Sequence, residues 1–222
     1  MPTIDLYRDI HKAIRTELFT VTLQAGNIDP SSRPGRAEVA NHVDSVVELL
    51  VGHAHHEDTF VQPSIEQHLC DLAEQIESDH VRLERWMDNL KNQAYEAVDA
   101  QGPAQRDEVH RLYTELAAFT SSYLAHQDLE ERIVMPALDE ALGFEAVLGI
   151  HVSIVSSIPP DEMAQALAIM IPSINIDDRT ELLGGMRAGA PPEVFEGVWG
   201  LTGSVLSPSD FAALGTRLGL AA

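Results

Sequence analysis

An all-α protein built on an up-down-up-down four-helix bundle, followed by additional short helices, is what this sequence predicts. Apolar residues recur at steps of three and four through four long segments. The chain is 45% hydrophobic but only 5% aromatic, and its abundance of Ala, Leu, Glu and Ile favours helix over sheet. The breaks between the segments are short and dense in Gly and Pro. A bundle over 1–141 and a helical extension over 142–222 account for the length.

The first helix is expected over 3–25, where Ile4, Tyr7, Ile10, Ile14, Leu18 and Val21 form one stripe. G-N-I-D-P-S-S-R-P-G (26–35) is a loop because its residues break helices. A second helix starts near Ala37 and passes Val46, Leu49, Leu50, Phe60 and Ile65, with Gly52 as an interruption and Pro63 as a kink in its last turns. The third runs from about 71 to 99 through Leu72, Ile76, Leu83, Trp86, Leu90 and Val98. After the turn Q-G-P (101–103), the fourth covers Ala104 to Leu138. Four amphipathic segments on compact loops describe a bundle. In the tail, Pro residues and then Asp161 and Glu162 mark a helix start. Breaks at 171–179 and 187–192 separate further short helices, and no ligand cluster falls among them.

Charge narrows the function. Fourteen basic against 35 acidic residues leave a net charge of −21, which argues against nucleic acid or an anionic membrane as partner, since phosphate contacts need clustered Lys and Arg. Cys70 is the sole cysteine, so the chain forms neither an intrachain disulfide nor a thiolate cluster. The sequence shows no export signal and no apolar 20-mer, and a cytoplasmic protein is expected.

One pattern occurs twice. His53-x3-Glu57-x5-Pro63 on the second helix is echoed by His126-x3-Glu130-x5-Pro136 on the fourth, 73 residues later. Side chains four apart share a helix face, so each pair can present an imidazole and a carboxylate to one point. His80-x3-Glu84 on the third helix is a further such pair, and His11 lies on the apolar side of the first. Taken singly, His11 reads as a core histidine and His80/Glu84 as a surface pair. Together they are hard to explain without a cation, because buried carboxylates need compensation. Two adjacent divalent ions, bridged by carboxylates and capped by imidazoles, provide it. A set of N and O donors without thiolate suits non-haem iron, and manganese and zinc accept the same donors. His55 is expected to face away, His56 to contact a ligand from outside, and Asp58 and Glu131 to face solvent or the outer side of the ligands. His42, His68, His110 and His151 are expected in surface or structural roles.

With H-A-H-H-E (53–57), D-H-V-R-L-E (79–84), H-Q-D-L-E (126–130), the two following prolines and His11, the chain resembles the hemerythrin-like family, or HHE cation-binding domain, over about residues 5–141. The resemblance implies an oxo- or hydroxo-bridged di-iron centre in a four-helix bundle. It implies His11, His53, Glu57, His80, His126 and Glu130 as ligands, with Glu57 and Glu130 as bridges. Two departures from the oxygen carriers of the family stand out. Glu84 occupies the place of a second histidine on the third helix, and Glu130 follows His126 by four where the carriers have aspartate at five. An added carboxylate favours oxidised metal, which points away from reversible O2 carriage. The expected function is a non-haem di-iron protein binding or reacting with O2, peroxide or nitric oxide. The alternatives are a non-catalytic iron- or oxygen-responsive protein and a di-iron oxidase of an organic substrate. No residue identifies catalysis, and the C-terminal helices offer a surface for a homodimer or a protein partner.

Overall fold

The computed structural model describes residues 4–220, which are helical with no strand among them. The four long helices are α1 (Arg8–Asn27), α2 (Arg33–His56), α4 (Cys70–Asp99) and α5 (Ala104–Leu129), with α3 (Gln62–His68) and α6 (Met135–Leu142) continuing α2 and α5. Then follow α7 (Phe144–Ser157), α8 (Pro160–Ser173), α9 (Ile176–Gly189), α10 (Pro192–Val205) and α11 (Pro208–Leu218). None of the helices is long and apolar enough to cross a membrane.

Local chemistry sets the ends. Asp5 accepts the Tyr7 N–H at 3.0 Å, a local turn that starts α1 later than the expected residue 3. Ser32 caps α2 by accepting the Gly35 N–H at 3.2 Å, with Pro34 in the first turn. Gly102 supplies the positive φ, 57°, that turns the chain between α4 and α5.

The expected kink at Pro63 takes another form. Residues Glu57–Val61 and Glu130–Val134 are π-helical turns, in which the Gln62 N–H bonds the Glu57 carbonyl and the Met135 N–H bonds that of Glu130. In an unbroken α-helix the rings of Pro63 and Pro136 would meet the carbonyls of Thr59 and Arg132. A widened turn just upstream accommodates each ring, and such turns concentrate at functional sites. There is also a packing consequence. Residues four apart drift by about 40° around an α-helix, yet Glu57, Val61 and Ile65 all stay buried, as do Glu130, Val134 and Leu138. The wide turn cancels the drift.

The chain divides into two compact units. The first comprises 4–7 and 14–155. Its core holds Leu50, Leu83, Leu90, Leu112, Leu116 and Phe119, each at most 2% exposed. A second cluster joins Val61, Ile65, Ile76, Val134, Leu138 and Val147, with Ile150 and Ile154 against it. Helix α7 therefore packs with this unit although it lies beyond residue 141. One buried cation was not foreseen. The Arg36 guanidinium, on a residue 2% exposed, donates to the carbonyls of Val98 at 3.1 Å, Ala100 at 3.2 Å and Pro30.

The second unit comprises 8–13 and 156–220. It contains a helix pair repeated in tandem, since α8 and α10 start 32 residues apart, at Pro160 and Pro192, and so do α9 and α11, at Ile176 and Pro208; α8 packs on α10 and α9 on α11. Leu167, Ile171, Leu183, Leu206 and Leu214 form its core. Asp178 pairs with Lys12, and with Arg8 at 3.6 Å.

Candidate metal centre

Six of the seven residues picked out by spacing come together. Ligand atoms of His11, His53, Glu57 and Glu130 lie within 4.8 Å of one another, and so do those of Glu57, His80, His126 and Glu130. Both glutamates belong to both groups. Each sits where a helix opens into its π turn, and each carboxylate meets its own histidine. His53 Nε2 is 3.0 Å from Glu57 Oε1, and His126 Nε2 is 3.2 Å from Glu130 Oε1. His80 reaches both carboxylates from α4, at 3.5 Å from Glu57 and 3.9 Å from Glu130. The Nε2 atoms of His80 and His126 face each other at 3.1 Å.

The seventh residue stands apart. Glu84 is exposed on α4 and belongs to neither group.

Burial makes the set unusual. His11 is 0% exposed, Glu57 6%, His126 3% and Glu130 1%. Burial by itself would lower the pKa of His53, but the charge of Glu57 and its hydrogen bond raise it. Burial opposes protonation of His80 too, yet hydrogen bonds to Asp58, Glu130 and Glu57 push its pKa up to about 12. Desolvation and the charge of Glu57 both press the Glu130 pKa upward, and hydrogen bonds from His126 and His80 bring it below the ordinary value. The carboxylates thus favour the protonated forms of His53 and His80 against the effect of burial. The same donor set, with neutral histidines and ionised glutamates, is one a divalent cation satisfies without any proton.

Outer contacts orient the imidazoles. Asp58 Oδ1 lies 2.7 Å from His80 Nδ1, which turns Nε2 toward the carboxylates. Asp79 is 3.7 Å from His126 Nδ1. A carboxylate–histidine hydrogen bond such as that of Asp58 with His80 fixes tautomer and ring orientation; at 3.7 Å, Asp79 gives His126 a nearby charge and no hydrogen bond. Glu131 accepts from Arg15 at 2.7 Å. His56 stacks near Phe60 with ring centroids 6.5 Å apart, and His55 is exposed. His42 contacts Gln24 and Glu17 at 2.6 and 2.8 Å, a role on the α1–α2 surface. Two residues with no place in the spacing pattern complete the surroundings. Tyr7 and Tyr123 are buried, and desolvation followed by the charges of Glu57 and Glu130 raises both phenol pKa values. Their signal was positional, with Tyr7 four residues before His11 and Tyr123 three before His126.

Searches of curated proteins and of solved structures returned no match to the chain. A family model described as the hemerythrin HHE cation binding domain matches residues 3–138, the stretch that carries all six converging residues. Matched over more than half its length, the chain belongs to the hemerythrin HHE cation-binding family.

Proposed function

We propose that this protein holds a pair of non-haem iron ions and through them binds or reacts with O2, peroxide or nitric oxide. The observation that carries the reading is the sharing of Glu57 and Glu130 by both groups of ligand atoms. On this reading His11 and His53 would hold one ion and His80 and His126 the other, with Glu57 and Glu130 available to both. Iron bound there would supply one-electron redox chemistry at each ion.

The residues themselves do the rest. Glu57 and Glu130 bring two negative charges into a region that excludes bulk water, where they act at low effective dielectric. Asp58 holds the His80 ring, and the helices around it keep the imidazoles in place. Tyr7 and Tyr123 close the site with phenols that keep their protons beside the carboxylates.

The test is metal content of protein purified without a histidine tag, joined to an anaerobic-to-aerobic optical titration. Two irons per chain with a new absorption on oxidation support the proposal. Iron retained in full by H53A/H126A, or an inability to load iron into the native chain, sinks it.

A further inference from the structure

An unbroken series of aromatic rings leaves the centre along α5 and reaches the surface on α4. His126 and His80 have ring centroids 4.9 Å apart. Tyr123 lies 5.9 Å from His126, Phe119 lies 5.7 Å from Tyr123, and Trp86 lies 5.6 Å from Phe119. Phe119 and Tyr123 are buried, at 0% and 3% exposure. Trp86 is half-buried and lines a surface groove of about 610 Å³ with Val81, Arg82, Arg85 and Asn89. Its indole N–H donates to Glu115 Oε1 at 2.7 Å. Helical spacing alone explains the Phe119–Tyr123–His126 stack. It does not explain why the far end is a tryptophan, a ring that gives up one electron readily, hydrogen-bonded to a carboxylate.

We infer that Trp86 is a one-electron donor to the oxidised metal centre, connected to it through Phe119, Tyr123 and His126. The inference rests on the di-iron reading. Hydrogen peroxide is the oxidant: a first equivalent takes two electrons from the reduced centre and two protons from solvent and leaves as two waters, and a second equivalent is reduced in the same way by two electrons passed one at a time through Trp86. One electron leaves the Trp86 indole and reduces the oxidised centre by one equivalent. The Nε1–H bond breaks and the proton passes to the Glu115 carboxylate, leaving a neutral indole radical. A small one-electron reductant of the ascorbate class, arriving in the groove, returns the electron, and Glu115 returns the proton. Tyr123 keeps its O–H bond throughout and serves as a bridge.

The experiment is freeze-quench electron paramagnetic resonance on iron-loaded, reduced protein, grown with ordinary or ring-deuterated tryptophan and mixed with an excess of hydrogen peroxide. Iron content and optical oxidation are recorded on the same samples. The expected result is a radical signal narrowed by the deuterium label. It persists in W199F, which removes the other tryptophan, and is lost in W86F although the centre still oxidises. In E115Q the signal changes from the neutral indole radical to its cation. A radical that ignores the label, a signal unchanged in W86F, or no radical in protein that binds and oxidises iron overturns the relay alone. Native protein that takes up no iron overturns the di-iron reading and the relay with it.

Discussion

Sharing of both glutamates makes a sharp thermodynamic prediction. Suppose free metal is held at roughly a thousand times its dissociation constant. Each ion then stabilises the folded state by about 4 kcal/mol. In a chain of 222 residues, 1 kcal/mol moves Tm by about 2–4 °C, so one ion is worth about 8–16 °C and a pair about twice that. Substitutions must partition this increment according to group membership. His11→Ala removes a ligand from the first group and leaves Glu57, His80, His126 and Glu130 in place, so about half of the metal-dependent increment survives. Glu130→Gln takes a carboxylate from both groups, and the increment collapses. The assay is differential scanning calorimetry of each protein with metal and with chelator, read as the difference between the two scans. Working with that difference removes what the substitution does to the metal-free fold. The reasoning is refuted if H11A and E130Q lose the same fraction, or if chelation leaves the wild-type Tm unmoved.

Three further outcomes are expected. Asp58→Asn replaces the carboxylate 2.7 Å from His80 Nδ1, and metal affinity falls by about 10–100-fold in a competition titration, with circular dichroism unchanged. Arg36→Met leaves the buried carbonyls of Val98 and Ala100 without their donor, at about 1–3 kcal/mol each. Arg33→Met removes only an exposed pair with Asp99 at 3.4 Å and costs about 0–1 kcal/mol; equal losses on urea unfolding would contradict the difference. Leu138→Ala opens a cavity at a position 0% exposed and costs about 2–5 kcal/mol, and a smaller loss in chelator-treated protein would mean that the α6 cluster relaxes around it.

The long helices were legible because period and punctuation agreed: α4 and α5 begin within a residue of the expected places. The sequence places residues 8–13 inside the first helix, and nothing local marks them for grouping with 156–220. The 32-residue repeat in the tail is carried in the sequence by little more than P-P-D-E and P-P-E-V. The π turns were hidden for a physical reason. Widening a turn by one residue requires no special composition, so the only trace is a proline six residues after each glutamate.

Glu84 shows where spacing stops being sufficient. The pairs 53/57, 80/84 and 126/130 have identical spacing, yet only the first and last glutamates turn inward. Around a helix, residue i+4 falls on the same side of residue i as i−3, whereas i+3 and i−4 fall on the other. For His53 and His126 the i−3 neighbours are Leu50 and Tyr123, both buried, so the following glutamate lands in the middle of the buried face. For His80 the i−3 neighbour is Glu77, which is exposed, while Leu83 at i+3 and Ile76 at i−4 are buried. His80 therefore enters the core from the opposite edge of its helix, and a residue four further on rotates out to solvent. The apolar neighbours of each histidine carried that information. A search for paired ligands needs the side from which the histidine enters as well as the interval that follows it.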